Sequence, residues 1–180
     1  RIFAEEDGLR SPISEGSVWV IDPIDGTNNF VTQKEDFAVM VAYFEDGIGQ
    51  FGLIYDVMRD HLFYGGGEFP VYRNEVELTP FVDQPLENFL IASNVGMLEK
   101  NDWGMADLGM DSLGIRVYGS AGISFSKILS GGILAYFSYI WPWDYAAAAI
   151  MGEQLGYTVL NLNGDKPNYQ SVEPIMMVPK

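Results

Sequence analysis

The chain has 180 residues, 48% of them hydrophobic, with 25 acidic against 10 basic side chains and a formal net charge of −15. That apolar content suits one compact unit or two closely packed halves. The absence of cysteine excludes disulfides, thiol chemistry and Cys-ligated zinc or iron–sulfur sites, and one histidine, His61, excludes a His-rich metal site and leaves little room for a Ser-His-Asp triad. The acidic surface repels nucleic acid and anionic lipid, so neither nucleic acid nor membrane is an expected partner. An anionic substrate needs a local cation to overcome that field.

Residue 1 is Arg, with no basic region leading into an apolar run, so no leader peptide is read, and without a starting Met the chain is expected to be a piece of a longer protein. Residues 1–16 are polar and turn-rich and carry the acidic cluster Glu5-Glu6-Asp7. A buried-looking strand, Ser17 to Ile21, runs straight into Asp22-Pro23-Ile24-Asp25-Gly26-Thr27. Two β-type runs follow, Ala38 to Phe44 and Gly49 to Tyr55, with Asp46-Gly47 as the turn between them. His61 to Tyr64 reads as another strand before Gly65-Gly66-Gly67. The first half is therefore strand-rich and antiparallel.

Near residue 88 the rhythm changes. A short strand over 89–92, a helix over 97–107, a strand over 114–118, a helix over 120–130, a strand over 133–138 and a long helix over 143–155 ending at Gly156 predict a mostly parallel layer with helices on it, completed by strands over 157–160 and 174–178. No stretch approaches the roughly 20 apolar residues needed to span a bilayer.

The chemistry concentrates in acids. Asp22 and Asp25 flank Pro-Ile at a strand end; Pro23 restricts its own backbone and that of Asp22, and Gly26 permits a sharp turn. Asp22, the Ile24 carbonyl and Asp25 are thus presented together, a hard-oxygen set suited to magnesium, manganese or calcium. The plain alternative is an Asx-type turn in which both acids only satisfy backbone groups. Glu5 precedes this strand, and a hairpin-like return would bring it beside Asp22. Asp144, in Trp143-Asp144-Tyr145-Ala146-Ala147-Ala148-Ala149, opens a helix, where it serves either as an N-terminal cap or as a further ligand at a positive helix end. Backbone N–H groups of Gly26 and Thr27 could face an anion.

Three stretches, Ala4-Glu5-Glu6-Asp7, Trp19 to Phe30 and Trp141-Pro142-Trp143-Asp144-Tyr145-Ala146, in this order and separation, resemble the signature regions of the inositol monophosphatase family of lithium-sensitive, metal-dependent phosphatases. Ile115 to Gly122 resembles that family's strand-to-helix segment beside the substrate. The resemblance implies an α/β fold, a layered αβαβα sandwich, with residues 1–87 as a strand-rich metal-binding half and 88–180 as an α/β half completing the active site. It implies a phosphomonoesterase using two or three Mg2+ ions, with Mn2+ as a substitute, in which Glu5, Asp22 and the Ile24 carbonyl hold one ion and Asp22, Asp25 and Asp144 a second. Glu5, Asp22 and Thr27 would be catalytic, Glu5 and Thr27 positioning and deprotonating water; Gly26, Thr27, Gly119, Ser120, Ala121 and Asp144 would contact substrate. A cytoplasmic homodimer acting on a small phosphorylated metabolite is the family expectation.

Two departures stand out. The family's N-terminal helical region, which carries an Asp paired with the motif threonine, has no counterpart here. Members acting on inositol phosphate also carry a Glu shortly before the Trp-Asp pair, whereas Tyr136 to Pro142 contains no acid and is one residue shorter. That aromatic stretch either packs in the core or favours NADP(H), fructose 1,6-bisphosphate or a phosphoadenosine phosphate as substrate. A family-derived interaction protein is the reading from a different class. His61 reads as a sheet-surface residue, and Arg116 either touches substrate or pairs with a surface carboxylate.

Overall fold

The computed structural model describes residues 1–8, 10–83 and 85–180. The first half forms β1 (Ile2–Ala4), β2 (Ser17–Asp25), α1 (Thr27–Thr32), β3 (Ala38–Glu45), β4 (Ile48–Asp56), β5 (His61–Gly66), β6 (Phe69–Arg73) and β7 (Val76–Glu77). These strands make one sheet in chain order, antiparallel except at its β1 edge. There β1 runs parallel to β2, pairing Ile2 with Trp19, so Glu5 is delivered by a parallel strand and not by the hairpin-like return expected from sequence. Val18, Val20 and Asp22 on β2 point inward, whereas Trp19 is 42% exposed. The strand is therefore buried on one face only, the period-2 pattern of a sheet with one face over a core.

The second half forms β8 (Leu90–Ser93), α2 (Val95–Lys100), α3 (Met105–Asp111), β9 (Gly114–Arg116), α4 (Ala121–Leu129), β10 (Ala135–Ile140), α5 (Pro142–Gln154), β11 (Tyr157–Asn161) and β12 (Glu173–Pro179). Its sheet runs β11-β12-β10-β8-β9. Only β10–β8 and β8–β9 are parallel; β12 returns antiparallel to both β10 and β11, so the sheet is mixed where a mostly parallel one was expected. The single helix expected over 97–107 is broken. Asn101 adopts φ 51° at the end of α2, its carboxamide accepts from the Ala106 N–H, and Trp103 and Gly104 continue in the left-handed region before α3. A short polar side chain that bonds its own local backbone tolerates that conformation and stops a helix.

α4 and α5 lie between the two sheets, packing on β3 and β4 on one side and on β10 and β11 on the other. α2 and α3 cover the far face of the second sheet, where Ile91, Met97, Met105, Ala135 and Phe137 form a smaller core. These β/α/β/α layers match four layers of the expected αβαβα sandwich. The Ala146–Ala149 run of α5 is buried, as expected of a closely packed helix. Small side chains let α5 approach the first sheet closely enough that a Cβ on Gly52 of β4 would lie 2.5 Å from the Ala147 carbonyl oxygen. Among the described residues no helix is long and apolar enough to cross a membrane.

This contact is checked by substitution. Gly52→Ala is expected to overpack the α5–β4 contact and cost about 1–3 kcal/mol in urea unfolding. Gly96→Ala on α2, whose Cβ would meet nothing nearer than the Asn94 side-chain oxygen at 3.5 Å, is expected to be neutral or stabilising by about 0.5–1 kcal/mol.

Candidate functional site

In a regular strand, residues three apart point to opposite faces. Asp22 and Asp25 nevertheless both turn inward, with exposures of 1% and 6%. The pairing of β2 with β3 explains this: Asp22 faces Met40 but Asp25 faces Ala38, a register shift across Pro23 and Ile24. Proline has no N–H for the ladder and is at home in such a bulge. Asp22 Oδ1 accepts the Ile24 N–H at 3.0 Å and sets the shape of the bulge. Gly26 then turns the chain at φ 84°, and a Cβ there would come within 2.9 Å of Ser120 Cβ. Thr27 starts α1, and its hydroxyl donates to the Ile24 carbonyl at 3.2 Å.

Asp25 is gripped by the start of α4. Its carboxylate accepts the Ala121 N–H at 3.1 Å, the Gly122 N–H at 2.7 Å and the Ser120 hydroxyl. Ser120 also caps α4 by accepting the Ile123 N–H. Ser120 and Ala121, read from sequence as substrate contacts, thus hold Asp25 in this structure. Asp144 is the third residue of α5, and its carboxylate accepts the Trp141 N–H at 2.7 Å while its own N–H donates back to the Trp141 carbonyl. It is the helix-start acid foreseen from sequence, and it also faces the cleft.

One carboxylate oxygen each from Asp22, Asp25 and Asp144 lie within 4.8 Å of one another. Glu5, the Ile24 backbone, Gly26, Thr27, Asn28 and Gly119 complete the lining of a cleft of about 240 Å³ around them. Glu5 is exposed and stands outside the mutual 4.8 Å set, while its charge acts on all three aspartates. The side chain of Asp7, third acid of that cluster, lies outside the described residues. Burial, and then the neighbouring carboxylates Asp25, Asp144 and Glu5, push the Asp22 carboxyl up to about 9. Burial also raises Asp144, to about 7, and raises Asp25 against the pull of its three hydrogen bonds. Two buried carboxylates and a half-buried third this close together resist full ionisation unless a cation compensates them. Their all-oxygen donor set fits a hard divalent ion such as magnesium.

Sequence reasoning missed Asn29, which is buried on α1. Its Nδ2 donates to the carbonyls of Asp36 (2.8 Å) and Tyr118 (2.7 Å), tying the β2–β3 loop to the segment that leads to Gly119 and Ser120. A buried Asn just after the acidic motif was the available signal. Ser93 and Asn94 were also missed, whereas Tyr139 belongs to the aromatic stretch read from sequence as either core or substrate-facing. With Val117, Tyr136 and Ser138 they line a pocket of about 310 Å³ that shares Asp25, Gly119 and Asp144 with the acidic cleft. There Asn94 Nδ2 donates to the Ser138 hydroxyl at 3.0 Å. His61 opens β5 beside Phe63, and the exposed Arg116 bonds the Ile115 carbonyl; neither lines the cleft or this pocket.

The raised carboxyls have a thermodynamic consequence. The folded protein holds protons that the unfolded chain releases above about pH 4, so in metal-free protein this contribution is greatest below pH 4 and is lost as pH rises through about 7 and 9. The melting temperature of EDTA-treated protein is expected to fall across that window, and added magnesium is expected to raise it more at pH 8 than at pH 5. Asp22→Asn, which spares the folded protein the cost of keeping the Asp22 carboxyl protonated, is expected to stabilise the metal-free protein at pH 8 by about 1–3 kcal/mol and to abolish the magnesium-induced rise.

Known proteins share this arrangement of chain. The chain is 37% identical over 171 residues to an inositol-1-monophosphatase of Bacillus subtilis, covering 92% of this chain and 64% of that relative, so it spans less than two thirds of the relative's length. Crystal structures of Staphylococcus aureus IMPase-II with inositol monophosphate or 2′AMP bound match it with TM-scores of 0.91 and 0.92 at 32% identity, covering 100% and 99% of this chain and 70% and 71% of theirs. An IMPase/NADP phosphatase complexed with Mg2+ and phosphate matches with a TM-score of 0.91 at 26% identity, over 100% of this chain and 69% of that one. The sequence profile of the inositol monophosphatase family extends over residues 1–178, and on that match the chain belongs to the inositol monophosphatase family.

Proposed function

We propose that this chain forms the catalytic part of a magnesium-dependent phosphomonoesterase that hydrolyses a small phosphorylated metabolite of the inositol monophosphate type. The observation carrying this reading is the convergence of Asp22 and Asp25 of β2 with Asp144 of α5 on one cleft, whose crowded carboxylates call for a cation. The relatives named inositol-1-monophosphatase or seen with inositol monophosphate, and the one complexed with Mg2+ and phosphate, support it.

In this proposal residues 1–87 supply Glu5, Asp22, the Ile24 carbonyl and Asp25 as ligands, and residues 88–180 add Asp144. Two or three ions, magnesium or manganese, would be held there. When bound, they polarise the phosphoryl oxygens and acidify water. Thr27 and Glu5 orient the attacking water, and the Glu5 carboxylate takes its proton as the oxygen bonds to phosphorus. The bond from phosphorus to the leaving oxygen breaks, and that oxygen takes a proton from solvent while Glu5 returns its own to solvent, giving an alcohol and inorganic phosphate. Backbone N–H groups of Gly26 and Thr27 bind phosphate oxygens, and Gly119, Ser120, Ala121 and Asp144 border the leaving group. The lithium sensitivity, homodimer and cytoplasmic setting expected of the family belong to the same proposal.

A second reading of the substrate is favoured by the adjoining pocket. Ser138 stands in the stretch that lacks an acid, and Tyr139, 41% exposed, lines the pocket with its ring backed by Trp103 at 6.2 Å between centroids. Such a lining suits a nucleotide or NADP(H) better than a bare polyol, because planar rings stack on it.

Phosphate release by the whole protein, with magnesium or EDTA, from inositol 1-phosphate, NADP, fructose 1,6-bisphosphate and adenosine 3′,5′-bisphosphate tests both readings. Magnesium-dependent turnover is expected, reduced about 10²-fold or more by Asp25→Asn. A preference for the nucleotides that Tyr139→Ala diminishes would select the second reading. Folded, metal-loaded protein that releases phosphate from none of them would overturn the proposal in favour of an interaction protein.

A further inference from the structure

Glu5 is the exposed member of the acidic set, and the chain around it is held in an unusual way. After Ala4 the backbone turns through a short 3-10 stretch, Glu6–Gly8, and comes back so that Arg10 bridges antiparallel to Phe3. Arg10 Nη1 donates to the Ala4 carbonyl at 2.5 Å, the peptide group that leads directly into Glu5. The same guanidinium lies over three aromatic rings: Trp143 at 4.5 Å, Trp141 at 5.3 Å and Phe3 at 5.5 Å from the centroids. Trp141 and Trp143 stack nearly parallel, at 4.8 Å and 8°. Their segment carries Asp144, whose carboxylate is anchored on the Trp141 N–H.

We infer that Arg10 is a positioning residue that sets Glu5 against Asp144. One side chain grips the backbone that presents Glu5 and, through its planar face, the tryptophan pair that flanks the start of α5. A guanidinium suits both tasks, since it donates in its plane and stacks on aromatic rings across its faces. Without it, the exposed Glu5 loop is connected to the rest of the site by β1 and by the long Glu5 N–H contact to the Ile21 carbonyl at 3.4 Å. The consequence is selective. Ions that need Glu5 depend on Arg10, whereas an ion held by Asp22, Asp25 and Asp144 alone does not. The inference rests on the proposed metal role of these acids.

Manganese binding to the whole protein, followed by calorimetry and by the paramagnetic signal of free Mn2+, gives a readout independent of turnover. Arg10→Ala is expected to weaken the Glu5-dependent binding event about 10-fold, the usual scale for groups that orient a ligand, and to leave the other event unchanged. In phosphate release it is expected to raise the half-saturating magnesium concentration with little change in kcat at saturation. Arg10→Lys, which keeps the charge over the rings without the fork, is expected to recover part of the loss. In a Glu5→Gln background, Arg10→Ala is expected to have no further effect on manganese affinity, because the two act through one group. If Arg10→Ala does not fold, Trp141→Ala, which removes the more exposed ring of the stack, carries the same expectation. Wild-type manganese affinity in a folded Arg10→Ala or Trp141→Ala protein, or an equal loss in the Glu5→Gln background, would overturn the inference. Absence of manganese binding in the wild type would instead overturn the metal reading beneath it.

Discussion

Three carboxylates within 4.8 Å of one another, two of them buried, repel, and the architecture around them works to hold them there. Unaided, Asp22, Asp25 and Asp144 would separate or take up protons, which is what the raised carboxyls express. The protein opposes that tendency from three directions. A bulge across Pro23 and Ile24 turns Asp25 to the side of Asp22, three donors at the start of α4 hold Asp25, and the Trp141 peptide holds Asp144. Each uses backbone polar groups that would otherwise have no partner at a helix end or strand irregularity.

The layers convert these local grips into a common geometry. α4 and α5 run between the sheets, so the donors to Asp25 at the start of α4 and Asp144 at the start of α5 are set by the same packing that forms the core. The alanine face of α5 matters because it lets the helix sit close on β4, and the distance of Asp144 from β2 follows from that approach. Asn29 adds a cross-tie between the β2–β3 loop and the entry to α4. A site built this way costs stability in the absence of a counter-charge, which is the usual relation between a preorganised charged centre and the fold that carries it.

In the proposed function, substrate selection falls to the adjoining pocket. The pocket beside the cleft is walled by neutral polar groups, Ser93, Asn94 and Ser138, and by Tyr136 and Tyr139. It lies where the start of α4 meets the second sheet, and it shares Asp25 and Asp144 with the cleft. In the inference drawn for Arg10, Glu5 is set by a loop whose guanidinium rests on the edge of the core, at Phe3 and Trp143, whereas the three aspartates are set by the strand and helix ends themselves.

The sequence by itself determined the chemistry and much of the local structure. The spacing of Asp22 and Asp25 around Pro-Ile, the Asp at the head of an alanine-rich helix and the strand and turn patterns of residues 38–64 are local signals, legible because proline, glycine and short-range hydrogen bonds act over a few residues. Long-range pairing was not legible. That β1 runs parallel to β2, that β12 returns antiparallel to β10, and that Asp25 meets Ser120 and its following peptides are outcomes of packing between segments far apart in the chain. The break at Asn101 and the roles of Asn29 and Arg10 were hidden for the same reason. A lone Asn or Arg carries no pattern, and only the tertiary structure decides which carbonyl or ring stands within its reach.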